Sequence, residues 1–235
     1  YITHMHTFLQ FLKMKNIEVL KFYPERFFKK GFPEHNERSV PEKTIAHLIK
    51  ELPAFPEHLQ LMYLILFCTG IRKSEVCTIK SGAFYSQGNE NWMRIYQSKM
   101  RREKVIPVPS LLVGLVNDYE KKYGIKNGED LFKNKKGGAF NGQTFSNQMI
   151  RECKARGIAC GDYIFRAHDY RHNLATSMYG NGVSIQGVRD YLGHSSENMT
   201  KQYIDFMPER IVSAEDKYFS KNQSFKLKGA EDDER

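Results

Sequence analysis

HDYRHNLATSMYGNGVSIQGVRDYLGHSSENMTKQY, residues 168–203, decides how this chain is read. It holds HDYRH at 168–172, LGHSS at 192–196 and MTKQY ending at Tyr203. With TGIRKSE at 69–75 it supplies two arginines (Arg72, Arg171), two histidines (His168, His194) and a tyrosine. A guanidinium is always charged and forks two hydrogen bonds, which suits a phosphodiester whose negative charge grows during reaction. A tyrosine beside two of them is a nucleophile for that phosphorus. His168 and Arg171, three residues apart, project from one helix face. His168 and His172 share the i, i+4 spacing of zinc hydrolases, yet Asp169 stands where their catalytic Glu would be and no third ligand is evident. A carboxylate cluster for two-metal nuclease chemistry is also missing. No metal or cofactor is expected.

Composition points the same way. The chain has 235 residues with 36 Lys and Arg against 27 Asp and Glu, a net charge of +9 that favours a polyanionic partner. Its 40% hydrophobic content suffices for a sizeable core. Cys68, Cys77, Cys153 and Cys160 show no CxxC spacing and read as reduced thiols of a cytosolic protein. The longest apolar run, LQLMYLILFC, falls short of the ~18 residues of a membrane span. The opening YITHMHTFLQFLKM looks like the end of a helix whose partners are absent, so a truncated chain is expected.

Residues 1–20 are read as the last helix of an N-terminal domain and 21–38, with Pro24, Gly31 and Pro33, as a linker. Ser39 and Glu42 are expected to form a capping box that opens a domain over 39–220. Helices are expected at Pro56–Cys68, stopped by Thr69–Gly70, and at Arg72–Lys80, 110–123, 144–156, 167–180, 184–192, 197–204 and 208–219. Trp92–Gln97 and Val105–Pro109 alternate as two strands joined by the basic turn SKMRREK. Residues 221–235 are polar and expected to be disordered. The fold class is mainly α with a small antiparallel β-sheet.

Singly, these residues have bland readings. Arg72 pairs with Glu75 at i+3, His168 is a satisfied core histidine, and the basic turn is a solvated hairpin tip. Together, TGIRKSE, the basic β-turn, HDYRH, LGHSS and a tyrosine nine positions after His194 resemble the tyrosine recombinase or phage-integrase family, in the family's order and across 39–220. The resemblance implies a catalytic set of Arg72, Lys99, His168, Arg171, His194 and Tyr203, with Glu75 orienting Arg72. Residues 1–20 would close the family's core-binding domain. Tyr170 replaces the usual leucine between His and Arg. The turn lacks the commoner glycine-containing form, so Lys104 or Arg102 competes with Lys99 as proton donor.

The implied activity is site-specific cleavage and rejoining of DNA through a 3′-phosphotyrosyl bond, without metal or ATP, by a bacterial cytoplasmic enzyme encoded on a phage, transposon or genomic island. Double-stranded DNA is the implied partner and a homotetramer on DNA the implied assembly. The helix 208–219 would dock on a neighbouring subunit or pack on its own domain. Arg101, Arg102, Lys104, Lys133, Lys135, Lys136 and the basic helix 150–156 are candidates for phosphate contacts, or solvated surface. The alternatives are a type IB topoisomerase with the same chemistry and a DNA-binding module without activity.

Overall fold

The computed structural model describes residues 7–8, 10–12, 14–15, 40–98, 100–158, 163–194, 197 and 200. The chain divides into two compact units, 1–36 and 37–235. In the first unit residues 7–8, 10–12 and 14 are helical, and the Lys15 N–H donates to the carbonyls of Phe11 and Leu12. Phe8, Phe11 and Met14 are exposed.

The second unit is built around a helix that is apolar on nearly every side. α1 is Glu42–Glu51 and α2 is Glu57–Thr69, with the 3-10 turn Leu52–Ala54 between them. Leu59, Leu61, Met62, Tyr63, Ile65 and Leu66 of α2 are all buried, as expected of a helix with no polar face. Around it lie α3 (Lys73–Cys77), α4 (Ser110–Tyr123), α5 (Gly142–Ala155) and α6 (Ala167–Gly180), followed by α7 (Ile185–Leu192). One core cluster joins α1, α2, the sheet, α4 and α5, and a smaller one of Ala175, Val188 and Leu192 packs α6 against α7. Asn173 of α6 ties down the start of the unit: its Oδ1 accepts from the Val40 N–H at 2.7 Å and its Nδ2 donates to the Val40 carbonyl at 3.3 Å.

The sheet has three antiparallel strands, β1 (Phe84–Gln87), β2 (Glu90–Gln97) and β3 (Arg102–Pro107), in the order β1-β2-β3. Two were expected. β1 was missed because its four residues are too short to show alternation, although the two-residue turn Gly88–Asn89 is itself a hairpin signal. Ile95 stands opposite Lys104 and Gln97 opposite Arg102. Met93, Ile95, Gln97 and Ile106 are buried, whereas Arg94, Tyr96 and Val105 face outward.

Two other local expectations shift. α1 begins at Glu42 with Pro41 as its cap and no side-chain cap bond, so the Ser39–Glu42 box is replaced by a proline cap; Ser39 itself lies outside the described residues. The helix expected over Arg72–Lys80 ends at Cys77, after which Lys80 bridges to Asp130. Of the expected helix 197–204 only Glu197 and Thr200 are described, both helical, and the segments 208–219 and 221–235 lie outside the described residues. Among the described residues no helix is long and apolar enough to cross a membrane.

Candidate active site

The site starts where α2 stops. Gly70 caps α2 at φ +58, in the left-handed region that glycine adopts without penalty. A Cβ there would come within 2.8 Å of Leu174 Cδ2, so the turn lies directly against α6. Two residues on, Arg72 caps the short helix α3. Its backbone N–H donates to Glu75 Oε2 and its Nη1 to Glu75 Oε1, both at 2.8 Å. Glu75 is buried, so this ion pair fixes the guanidinium from behind. The bland reading of Arg72 as a partner of Glu75 and its placement in the site hold together.

Arg171 is one of the largest fully buried side chains, at 1% exposure. Its Nη1 donates to the Gly70 carbonyl at 2.8 Å and its Nη2 to the Leu192 carbonyl at 2.6 Å. One guanidinium therefore bridges the turn before Arg72 and the turn before His194. His168, one helical turn earlier on α6, is exposed, and its ring meets that of His172 edge-on at 5.1 Å. Asp169, Tyr170 and His172 point inward. Tyr170 packs among Tyr63, Phe67 and Phe165, and burial raises its pKa far out of the useful range, so it serves the core.

Gly193 turns the chain out of α7 at φ +69. A Cβ on it would stand 2.6 Å from Gln97 Oε1, so the turn sits on the buried end of β2. His194 follows, buried, with Nδ1 3.0 Å from the Thr200 hydroxyl. Burial lowers its pKa to about 3, helped by the positive charges of Arg171, Arg72 and Lys104. The imidazole is thus neutral at neutral pH.

A cavity of 490 Å³ is lined by Arg72, His168 and Arg171 together with Lys73, Ser74 and Arg166; His194 is not among its lining residues. Lys73, Ser74 and Arg166 were not picked out from the sequence. The signal for Lys73 and Ser74 was their position directly after Arg72, on the first turn of α3; the stem of Lys73 lies across Gly142 at the start of α5. Lys99 and Tyr203 lie outside the described residues. Among the described residues no group of three or more His, Cys, Asp or Glu could hold a metal.

The basic residues singled out for phosphate contacts separate into kinds. Arg101 and Arg102 are exposed at the hairpin end, Arg101 with φ +51. Lys104 is half-buried and donates to the Tyr191 carbonyl. Lys133 is paired with Glu129 at 2.7 Å, while Lys135 and Lys136 sit exposed in the following turn. In helix 150–156, Arg156 pairs with Glu152 at 2.6 Å, donates to the Ala54 carbonyl and lies over the Phe55 ring, a packing role. Cys68, Cys77 and Cys153 are free thiols, and Cys160 is outside the described residues.

The profile of the phage integrase family matches residues 38–210. Transposase B from transposon PsiTn554 of Staphylococcus aureus is 30% identical over 208 residues, 86% of this chain and 33% of that protein. Tyrosine recombinase XerC of Rickettsia bellii is 27% identical over 155 residues, 65% of this chain and 48% of that protein. The chain thus spans about a third to a half of the length of these relatives. A lambda integrase tetramer bound to a Holliday junction has the same fold, with a TM-score of 0.64 at 20% identity over 87% of this chain and 58% of that one. A mainly helical unit with a three-stranded sheet, boxes in the family's order and a family match across nearly all of that unit agree: this chain belongs to the phage integrase family.

Proposed function

We propose that this chain cleaves and rejoins double-stranded DNA through a covalent phosphotyrosine, as a site-specific recombinase of a mobile element. The observation that carries this reading is the bridge made by Arg171. By holding the Gly70 and Leu192 carbonyls it ties the turn before Arg72 to the turn before His194, and Arg72, His168 and Arg171 line one cavity.

Tyr203 attacks the scissile phosphorus and the bond to the 5′ oxygen breaks, leaving a 3′-phosphotyrosyl link. The phenol, with an ordinary pKa of about 10, passes its proton to His168. Arg72 and Arg171 neutralise the non-bridging oxygens, and the neutral His194 adds one hydrogen bond there. Lys99 returns a proton to the departing 5′ oxygen. The energy of the broken bond stays in the phosphotyrosine, so attack by another 5′-hydroxyl completes the exchange. Residues 39–220 form the catalytic domain in this reading, and 1–20 belong to a preceding DNA-embracing domain. Four copies act together on DNA, as in the lambda integrase tetramer on its junction, with 208–219 docking between neighbours.

The test is a nicked DNA substrate whose cleaved fragment diffuses away. The unaltered chain should accumulate a covalent DNA adduct that survives denaturant. Tyr203→Phe should form none while binding the same DNA with unchanged affinity. An adduct that persists in Tyr203→Phe would remove Tyr203 from the mechanism.

A further inference from the structure

We propose that Lys104 is a positioning residue for His194: its ammonium holds the turn 191–194 against the inner side of the sheet, with Gln97 as the seat for Gly193. The strand register places Lys104 in a row with Met93, Ile95, Gln97 and Ile106, the row that faces the core. A lysine there must find an acceptor for its ammonium, since an unsatisfied buried charge is strongly disfavoured. Its Nζ donates to the Tyr191 carbonyl and lies 5.5 Å from the centroid of the Tyr191 ring.

That carbonyl belongs to the last turn of α7, where no intrahelical N–H remains and the helix end carries partial negative charge. The N–H groups of Gly193 and His194 take the Arg189 carbonyl, and Gly193 also reaches that of Asp190. The two carbonyls that follow are taken from elsewhere, Tyr191 by Lys104 of β3 and Leu192 by Arg171 of α6. Two cations on separate elements therefore cap one helix end. The chain then turns through Gly193, which has no room for a Cβ because of Gln97, and reaches His194. Gln97 ends β2 and Lys104 lies in β3, so the two flank the turn 98–101 that carries Lys99. The geometry makes the sheet a template for the His194 imidazole. Burial and the nearby Arg171 also lower the Lys104 pKa to about 7, as suits an ammonium directed inward.

The inference rests on the cleavage reading only for its kinetic test, and a second measurement stands without it. In single-turnover cleavage of the nicked substrate, Lys104→Met should slow adduct formation by about 10-fold or more with DNA affinity changed less than about 2-fold. Lys104→Arg, which keeps a donor for the carbonyl, should recover most of the rate. In a His194→Ala background Lys104→Met should add little, because both act on one group. Unchanged cleavage by Lys104→Met, or losses that simply multiply, would overturn the proposal. So would full rescue of Lys104→Met by a substrate with sulfur in place of the bridging 5′ oxygen, since that leaving group needs no proton and rescue would make Lys104 the acid.

The DNA-free measurement is the imidazole resonance of His194. In the unaltered chain and in Lys104→Arg it should stay neutral through the accessible acid range. In Lys104→Met it should shift and titrate at higher pH, as the turn loosens and one of the surrounding charges (Arg72, Arg171, Lys104, His168) is lost. An unchanged resonance would overturn the positioning role. If the unaltered chain forms no adduct while the resonance moves as described, the cleavage reading fails and this one stands.

Discussion

Arg72 and Arg171 have the same side chain and different duties. Arg72 keeps part of its surface open and is braced by one buried carboxylate. Arg171 is enclosed and commits two N–H groups to backbone carbonyls from opposite sides of the site. Lysine is a point charge and cannot span two acceptors as a planar fork does. Arg171→Lys should therefore lower stability by about 1–3 kcal/mol, through a carbonyl left without its donor, as well as abolish cleavage. Arg72→Lys should leave thermal stability nearly unchanged and reduce cleavage by roughly 100- to 1,000-fold. Paired thermal melts and single-turnover rates check the contrast; equal loss of stability in both would contradict it. The sequence placed the two arginines in one role, because spacing reports which residues share a helix face but not which donors the backbone will claim.

Among the elements, α2 is the rod on which the site is mounted. Its C-terminal turn delivers Gly70 and Arg72, and α6 lies against it through Tyr63, Phe67 and Tyr170. Leu66 is fully buried on this rod, and its carbonyl accepts from the Gly70 N–H in the cap. Leu66→Ala should lower the free energy of urea unfolding by about 2–5 kcal/mol, without removing any group from the chemistry. A loss below about 1 kcal/mol would mean that the site does not depend on this packing. The helices α2, α4, α5, α6 and α7 were legible from apolar spacing, helped at α2, α4 and α5 by glycine stops. The shorter pieces were less so: β1, with four residues, is too short for a period to show, and α3 was read as a helix but ends at Cys77, before the expected Lys80.

Over the whole molecule, positive charge is both spread, at +9 net, and concentrated, where Arg72, Arg171 and Lys104 surround His194. Burial of these groups, reinforced by that concentration, couples folding to pH. The His194 pKa in the folded chain, about 3, lies below its ordinary 6.5, so the unfolded chain binds more protons in between. The stability His194 contributes is complete above 6.5 and is lost as pH falls toward 3. Lys104, at about 7 against an ordinary 10.5, works in the alkaline window: the unfolded chain holds its proton longer, so stability rises from about pH 7 toward 10.5. Urea denaturation of the unaltered chain and of Lys104→Met should show a difference that moves in favour of the unaltered chain between pH 7 and about pH 9.5. A difference independent of pH would remove Lys104 from the charged cluster.

The sequence by itself determined the family and the mainly helical fold class, because these follow from residue type, order and periodicity along the chain. It also marked Gly70 as a stop, without saying what it stops against. The tertiary structure decided how boxes separated by a hundred residues become one site. Arg171 bonds to carbonyls 101 and 21 residues away, Lys104 reaches a carbonyl 87 residues away, and Gln97 takes the place a side chain on Gly193 would need. Such partners are backbone atoms, the same in every residue, so no residue pattern announces them. The stretch 168–203 carries the boxes of the family, and the packing of α6 and the sheet holds the turn that leads to His194.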